Sequence, residues 1–275
     1  MADDPVIRYY HTFESLIGYR LLKGVKHFGY YPKDQENLST AKAQELMDQQ
    51  LAAALGLKPG ARVLDAGCGE GGVAFYLAKH CGFNVTGIDM LDFNIKRANA
   101  ASRLSNRTGS VTFMVGNYAD TGLEASSFDG IFTMETLVHA PDYEKVLTEC
   151  KRLLKPGGKV AFFEYSLSPD MPPDAARAFA KMNDLAAMPA FNEFKHGVLG
   201  TALERHGFTQ VDTKDITERM LPQLRKFERK ARIPYRIVAY LGLKDHFVNA
   251  MSSVVMTKYL RYWRYNIVTG RLPKT

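Results

Sequence analysis

The feature that most constrains the fold is a glycine-rich turn that directly follows a short apolar segment. Val63 to Asp65 is typical of a buried β-strand, and Ala66-Gly67-Cys68-Gly69-Glu70-Gly71 comes next. Gly72–His80 then has the composition and length of a helix. Glycine has no Cβ, so such a turn lets the backbone pass close to a ligand. A strand, turn and helix in this order predict an α/β fold with a ligand at the turn.

An acidic residue stands in register with this turn. Asp89 follows Gly67 by 22 positions (67 to 89) and ends the second predicted strand, where a carboxylate can accept both hydroxyls of a ribose. The Gly-x-Gly-x-Gly spacing is tighter than the dinucleotide fingerprint, and Asp65 would repel a pyrophosphate. S-adenosylmethionine has no phosphate, and its ammonium attracts a carboxylate. The pattern therefore favours this cofactor over NAD. Two alternatives stay open, namely that Asp65 only bonds the turn backbone and that Asp89 is a turn or N-cap residue.

Strand-like and helix-like segments alternate through the middle of the chain, which predicts crossover units and a parallel sheet. The predicted strands are Arg62–Asp65, Asn84–Ile88, Val111–Val115, Gly130–Thr133 and Val160–Glu164. The predicted crossover helices are Gly72–His80, Asp92–Ser105 and Asp142–Leu154. Proline and glycine at 58–60 and 155–158 precede the first and fifth strands. We therefore assign residues 57–167 to a cofactor-binding α/β core.

The flanking regions are predicted to cover this core. In residues 1–56, a helix begins at Ser39 or Thr40 and ends at Gly56, and the aromatic-rich segment before it is interpreted as a lid, although core packing also explains aromatics. Residues 168–275 are predicted to form a helical cap with the last two strands of the sheet. The predicted cap helices are Ala175–Lys195, Leu199–His206 and 218–261, and the predicted strands are Phe208–Ile216 and Tyr262–Thr269.

Further candidate site residues follow the third and fourth strands. Asn117 can bond the adenine edge and Tyr118 can stack, although an ordinary turn explains both. Met134 closes the fourth strand, where ligands bind in such sheets, and is expected beneath the sulfonium. Glu135 and His139 follow it and are the candidate bases, with a packed loop histidine as the alternative for His139.

The quoted motifs resemble class I S-adenosylmethionine-dependent methyltransferases. The resemblance rests on Leu64-Asp65-Ala66-Gly67-Cys68-Gly69, Asp89, Phe128-Asp129 and Leu153-Leu154-Lys155-Pro156-Gly157-Gly158. Met134-Glu135-Thr136-Leu137-Val138-His139-Ala140-Pro141-Asp142 and Tyr30-Tyr31 are most similar to the sterol 24-C-methyltransferase branch. The resemblance implies a Rossmann-like seven-stranded sheet and C-, N- or O-methylation of small molecules. The cofactor-binding residues so predicted are Tyr30, Asp65, Gly67, Gly69, Gly71, Asp89, Met90, Asn117, Tyr118 and Met134.

The composition limits which membranes, metals and substrates the protein is expected to bind. The longest apolar runs are too short to cross a bilayer, and the acidic N-terminus is unlike a secretory signal, so we expect a cytoplasmic protein. Three cysteines without paired spacing predict no metal site. A net charge of +7 without a nucleic-acid motif does not by itself select a partner. The aromatic residues of the predicted cap favour a small lipophilic acceptor, which is the main prediction. A nucleic-acid or protein methyltransferase that docks through basic residues, a non-catalytic binding protein and a homo-oligomer stay open.

Overall fold

The computed structural model places seven strands in one sheet. They are β1 (Arg62–Ala66), β2 (Asn84–Asp89), β3 (Val111–Val115), β4 (Phe128–Met134), β5 (Leu154–Leu167), β6 (Thr209–Asp215) and β7 (Trp263–Arg271). Their order is β3-β2-β1-β4-β5-β7-β6. The first five strands are parallel, and β7 is antiparallel to both β5 and β6. The structure describes residues 5–10, 12, 27–103, 108–241 and 247–274.

Helices cover both faces of the sheet. They are α1 (Pro5–Tyr10), α2 (Thr40–Leu55), α3 (Gly72–His80), α4 (Asp92–Ser102), α5 (Tyr143–Leu153), α6 (Pro173–Leu185), α7 (Pro189–Glu193), α8 (Val198–Arg205), α9 (Thr217–Tyr240) and α10 (Val248–Lys258). Short 3-10 turns span Leu137–His139 and Leu260–Tyr262. Ser39 caps α2 by accepting a hydrogen bond from the Lys42 N–H at 3.2 Å, and Gly56 ends the helix in the left-handed conformation. Both predicted ends of α2 are therefore confirmed.

The sheet topology fixes where a ligand can bind. The chain runs from β1 outward to β2 and β3, then returns to place β4 on the other side of β1. The crevice at the carboxyl ends of β1 and β4 is therefore the switch point at which ligands bind in open α/β sheets. Both strands are almost entirely buried, which is expected for parallel strands covered by helices on two faces.

The cap differs from the sequence prediction in two places. The predicted helix Ala175–Lys195 is two helices, α6 and α7, separated by a turn. Ala187 in this turn has a φ of +52°, and Pro189, which has no N–H to donate, begins α7. The predicted helix 218–261 is likewise divided into α9 and α10, with residues 242–246 outside the described part of the chain.

The fifth strand is also longer than the sequence predicts. It continues to Leu167 because β7 pairs with it from Lys159 to Leu167. The last two strands thus extend the same sheet as the cofactor-binding strands, which confirms the predicted seven-stranded α/β fold. The division at residues 56 and 167 stays a prediction. None of the helices in the described part of the chain combines the length and apolar character needed to cross a bilayer.

Candidate active site

One cavity of about 1070 Å³ opens at the carboxyl ends of the parallel strands. Its wall contains residues that end or follow four of them, namely Gly67 after β1, Asp89 at β2, Gly116 after β3 and Met134 at β4. Sites for single small molecules usually measure about 300 to 1000 Å³. The cavity is therefore large enough for a cofactor and a second, smaller molecule.

The glycine turn forms one end of this cavity. Gly67 and Gly69 line it with φ values of +91° and +54°, which favour glycine. The N–H groups of Gly67 and Cys68 both donate to the Ile88 carbonyl, at 2.8 and 2.9 Å. A Cβ on Gly67 would lie 2.7 Å from the Thr136 side chain. Glycine is thus required here both by backbone conformation and by contact with the loop after β4.

Gly71 has a different reason to be glycine. It is not among the residues that line the cavity, and it is instead the N-cap of α3 with a φ of +83°. A Cβ there would lie 2.5 Å from Cζ of Phe113. The packing of the turn against β3 therefore explains Gly71 without a ligand, and its predicted part in cofactor binding stays a prediction.

Asp89 lines the cavity and also holds the glycine turn in place. Its Oδ2 accepts from the Gly69 N–H at 2.8 Å, and its Oδ1 accepts from the Leu91 N–H at 2.9 Å and from Asn94 Nδ2 at 3.2 Å. The carboxylate of Asp89 therefore stabilises the turns around it, which is the alternative that the sequence left open. The same carboxylate lines the cavity, so it is also placed to accept a hydrogen bond from a ribose that enters there.

Asp65 presents a buried acid with an unsatisfied oxygen. Only 3% of the residue is exposed, and among the described residues Oδ2 finds no hydrogen-bond partner. Burial, followed by the charges of Asp89 and Asp48, raises the pKa of Asp65 well above its usual value. An ammonium group against this oxygen would supply both the missing hydrogen bond and the missing charge. The residues present therefore fit S-adenosylmethionine at this end.

A buried ion pair that the sequence analysis did not predict lies beside Asp65. His27 Nε2 lies 3.2 Å from Asp48 Oδ1, and its Nδ1–H donates to the Phe28 carbonyl at 2.9 Å. Burial opposes the protonated form, but the adjacent Asp48 carboxylate, the bond to the Phe28 carbonyl and the charge of Glu135 together raise the pKa of His27. His27 lines the cavity. The resemblance at Tyr30-Tyr31, a few residues further along the chain, is the only sequence signal near this pair.

Glu135 connects three parts of the chain. Its Oε1 accepts from the Phe28 N–H at 2.6 Å and from the Tyr265 hydroxyl at 3.0 Å, while Oε2 accepts from the Tyr165 hydroxyl. Its backbone has a φ of +58°, a strained conformation for a residue other than glycine. Burial raises the pKa of Glu135 even though these hydrogen bonds lower it. Glu135 lines the cavity, but its carboxylate already accepts hydrogen bonds from three donors.

His139 is held in one tautomer by the cap. Its Nδ1 lies 2.8 Å from the Ala187 carbonyl oxygen, which can only accept, so Nδ1 carries the proton. Nε2 is then the basic nitrogen of the neutral ring, and it lies 3.1 Å from the Tyr10 hydroxyl. Both His139 and Tyr10 line the cavity. A fixed tautomer and an adjacent hydroxyl are what a general base needs.

Most of the large apolar side chains in the wall are aromatic or sulfur-containing. Its large apolar members are Tyr9, Tyr10, Phe28, Met134, Tyr165, Met182, Met188, Phe191, Leu224, Phe227 and Met256. They come from the N-terminal segment, the sheet and four helices of the predicted cap. Side chains of this kind bury apolar area and leave few polar groups to pair. This end of the cavity therefore suits a largely apolar molecule.

The remaining predicted cofactor residues divide into two groups. Met90, Asn117 and Tyr118 line the cavity together with Met134. Asn117 Oδ1 accepts from the Ala119 N–H at 2.9 Å, so its side chain also stabilises the turn after β3. Tyr30 is not among the lining residues, and its N–H donates to the Ala43 carbonyl at 2.8 Å. A part for Tyr30 in cofactor binding stays a prediction.

Comparison with known proteins agrees with this site. Residues 64–162 match the family described as Methyltransferase domain. The chain is 35% identical to the S-adenosyl-L-methionine-dependent Diels-Alderase iccD of Talaromyces variabilis, over 99% of this chain and 96% of the relative. It is 33% identical to the sterol 24-C-methyltransferase of Yarrowia lipolytica over 52% of this chain and 36% of that relative.

A solved structure extends the likeness to the whole fold. The [4+2]-cyclase SpnF superposes with a TM-score of 0.77 at 22% identity, covering 98% of this chain and 96% of that one. The sequence matches span the glycine turn, Asp89 and the loop after β4. The chain therefore belongs to the S-adenosylmethionine-dependent methyltransferase family.

Proposed function

We propose that this chain transfers a methyl group from S-adenosylmethionine to a small, largely apolar acceptor. The observation that carries the proposal is the composition of a single cavity. Asp65 and Asp89 line this cavity beside the glycine turn, and aromatic and methionine side chains line it as well. The acids match the ammonium and ribose of the cofactor, and the apolar wall matches an acceptor with little polar surface.

Proton removal is assigned to Tyr10 and His139. When bound, the cofactor supplies an electrophilic methyl group on a sulfonium. Asp65 and Asp89 would hold the cofactor, which would give its methyl group to an acceptor heteroatom and leave as the neutral thioether. Tyr10 takes the proton that the acceptor loses and passes its own to His139 Nε2, 3.1 Å away. His139 holds the proton there because its Nδ1–H remains bonded to Ala187.

Glu135 is assigned a positioning role. Its carboxylate joins the Phe28 backbone to the hydroxyls of Tyr165 and Tyr265, so it fixes two aromatic walls around the acceptor. Fixed walls hold donor and acceptor at reacting distance and exclude water. The direct base role that the sequence suggested for Glu135 stays a prediction, and the positioning role is favoured because three donors already bond the carboxylate.

Four further predictions go with this proposal. The N-terminal segment acts as a lid, which is supported by Val6, Tyr9 and Tyr10 in the cavity wall. The helices after residue 168 act as the cap that selects the acceptor, which is supported by the cavity-lining residues of α6, α9 and α10. A cytoplasmic location and self-association stay predictions from the sequence alone.

The test is incubation of the full-length protein with methyl-labelled S-adenosylmethionine and a cell extract. The extract is then divided into lipids, polar metabolites, RNA and protein. We expect label in extractable apolar molecules. Label confined to RNA or protein would overturn the acceptor class and favour a macromolecular substrate.

The similarity to iccD over nearly the whole chain supports a second candidate, a cofactor-dependent cyclisation. A [4+2] cyclisation forms two carbon–carbon bonds within the acceptor and releases nothing. The walls of the cavity would then fold a polyene while the bound cofactor keeps its methyl group. The two candidates are separated by the cofactor after turnover, because methyl transfer yields S-adenosylhomocysteine in a one-to-one ratio with product and cyclisation yields none.

A further inference from the structure

The last two turns of α9 and the residue after them expose an unusual set of large apolar side chains. Ile233 is 69% exposed, Ile237 57%, Tyr240 92% and Leu241 61%. Positions 233, 237, 240 and 241 are separated by three or four residues, so they lie on one face of the helix. We call these four residues the α9 stripe. Exposed apolar residues are ordinary one at a time, but a contiguous stripe marks an interaction surface.

Cationic side chains flank the stripe. Arg229, Lys230 and Arg236 are exposed, and within the described part of the chain none of them forms an ion pair. At about 100° per residue, Arg229 and Arg236 lie along one border of the stripe and Lys230 along the other. The nearest acid on the helix, Glu228, lies on the opposite side and is paired with Arg232 at 2.7 Å.

The stripe also lies next to the cavity. Leu224, Phe227, Lys230 and Ala231 line the cavity from α9. On the same helical projection their face begins at Lys230, where the stripe ends. A surface that contacts the stripe therefore lies beside the cavity wall.

We propose that the α9 stripe docks on the surface of an anionic phospholipid bilayer. An apolar face bordered by arginine and lysine is the arrangement by which a helix lies in the plane of the interface, with the cations at the phosphate level. A second copy of the chain fits less well, because two such faces would bring the same unpaired cations together. The docking does not depend on the reaction. If the proposed function holds, an apolar acceptor passes from the bilayer into the cavity along α9.

The experiment is vesicle flotation with the full-length protein. Vesicles of phosphatidylcholine alone are compared with vesicles that also contain phosphatidylserine. We expect binding to the anionic vesicles, weak binding to the neutral ones, and loss of anionic binding at high salt. Each cation at such a surface contributes roughly fivefold to partitioning, so Arg229→Gln/Arg236→Gln should weaken binding by about 25-fold. Ile233→Gln/Ile237→Gln should weaken binding by tenfold or more, because it removes the apolar contact.

Matched controls separate this surface from general charge and hydrophobicity. Lys58→Gln/Lys79→Gln removes the same charge from exposed positions elsewhere, and Val115→Ser removes an exposed apolar side chain from β3. Both should bind as the unaltered protein does, and a thermal melt of every variant checks that it is folded. Absence of binding, or equal binding by the α9 variants and the controls, would overturn the proposal. So would a concentration-dependent dimer in sedimentation that the Ile233→Gln/Ile237→Gln change abolishes without vesicle binding.

Discussion

The Nδ1 atom of His139 lies 2.8 Å from the carbonyl oxygen of Ala187, a residue 48 positions further along the chain. Ala187 adopts a left-handed conformation, with a φ of +52°, in the turn between α6 and α7. The bond fixes the proton on Nδ1 and leaves Nε2 basic toward the cavity. The cap thus determines the chemistry of a residue that belongs to the loop after β4.

Replacing His139 with glutamine should lower the turnover rate about 10²-fold and leave cofactor affinity unchanged, because it removes the proton acceptor but not the cofactor contacts. Tyr10→Phe should produce a loss of the same order if the proton passes through the hydroxyl. Single-turnover kinetics and calorimetry measure the two effects. Tyr9→Phe is the matched control, since Tyr9 also lines the cavity but bonds Asn249. A loss below tenfold in both variants would indicate catalysis by proximity alone.

Cofactor binding should release protons through Asp65. Burial raises the pKa of this carboxyl well above its usual value in the ligand-free protein, and an adjacent ammonium would lower it again. Affinity should therefore increase as the pH rises toward the ligand-free pKa and level off above it. Calorimetry in two buffers with different ionisation enthalpies gives the number of protons released. Asp65→Asn should abolish the release and weaken binding, whereas Asp92→Asn on the surface should do neither.

Asp89→Ala should impair both binding and folding. Loss of charge-assisted bonds to a ribose should weaken cofactor binding by about 1 to 3 kcal/mol. The sequence alone predicts little effect on folding, but the variant also leaves the N–H groups of Gly69 and Leu91 without their acceptor, so the free energy of unfolding should fall by a similar amount. Asp89→Asn keeps one oxygen and should be intermediate. Denaturant unfolding with unchanged midpoints would contradict the structural role.

Glu164 should make the protein less stable at alkaline pH. Burial raises the pKa of this carboxyl to about 8, from an ordinary value of 4.5, so the folded state favours the neutral acid. Its stabilising contribution is complete below pH 4.5 and is lost as the pH rises toward 8, by at most about 1.4 kcal/mol per pH unit.

Glu164→Gln provides the comparison for this prediction. The amide oxygen can still accept from Thr133 Oγ1 and the Leu137 N–H, but the group does not titrate. Between about pH 5 and pH 8, the melting temperature should fall more steeply for the unaltered protein than for the variant. Parallel pH profiles would show that Glu164 is ionised over the whole range.

The sequence by itself determined the parts of the protein that depend on short-range chemistry. A strand that enters a glycine turn, a helix after it and Asp89 at the next strand end are patterns within a few residues or one crossover unit. They predicted an α/β fold and the cofactor, and the resemblance that they carry implied the family and a seven-stranded sheet, all of which are confirmed. The caps Ser39 and Gly56 were predictable for the same reason, because they satisfy the ends of their own helix.

Only the tertiary structure decided how the candidate site is held. His27 meets Asp48 beside Asp65, Glu135 binds Phe28 across 107 positions, and Ala187 orients His139. None of these pairs has a spacing that periodicity or turn chemistry specifies. They form because the sheet order brings distant segments to one crevice, where buried polar groups must find partners. Local sequence patterns indicate which residues form helices and strands, whereas these partners depend on where the assembled sheet places each element.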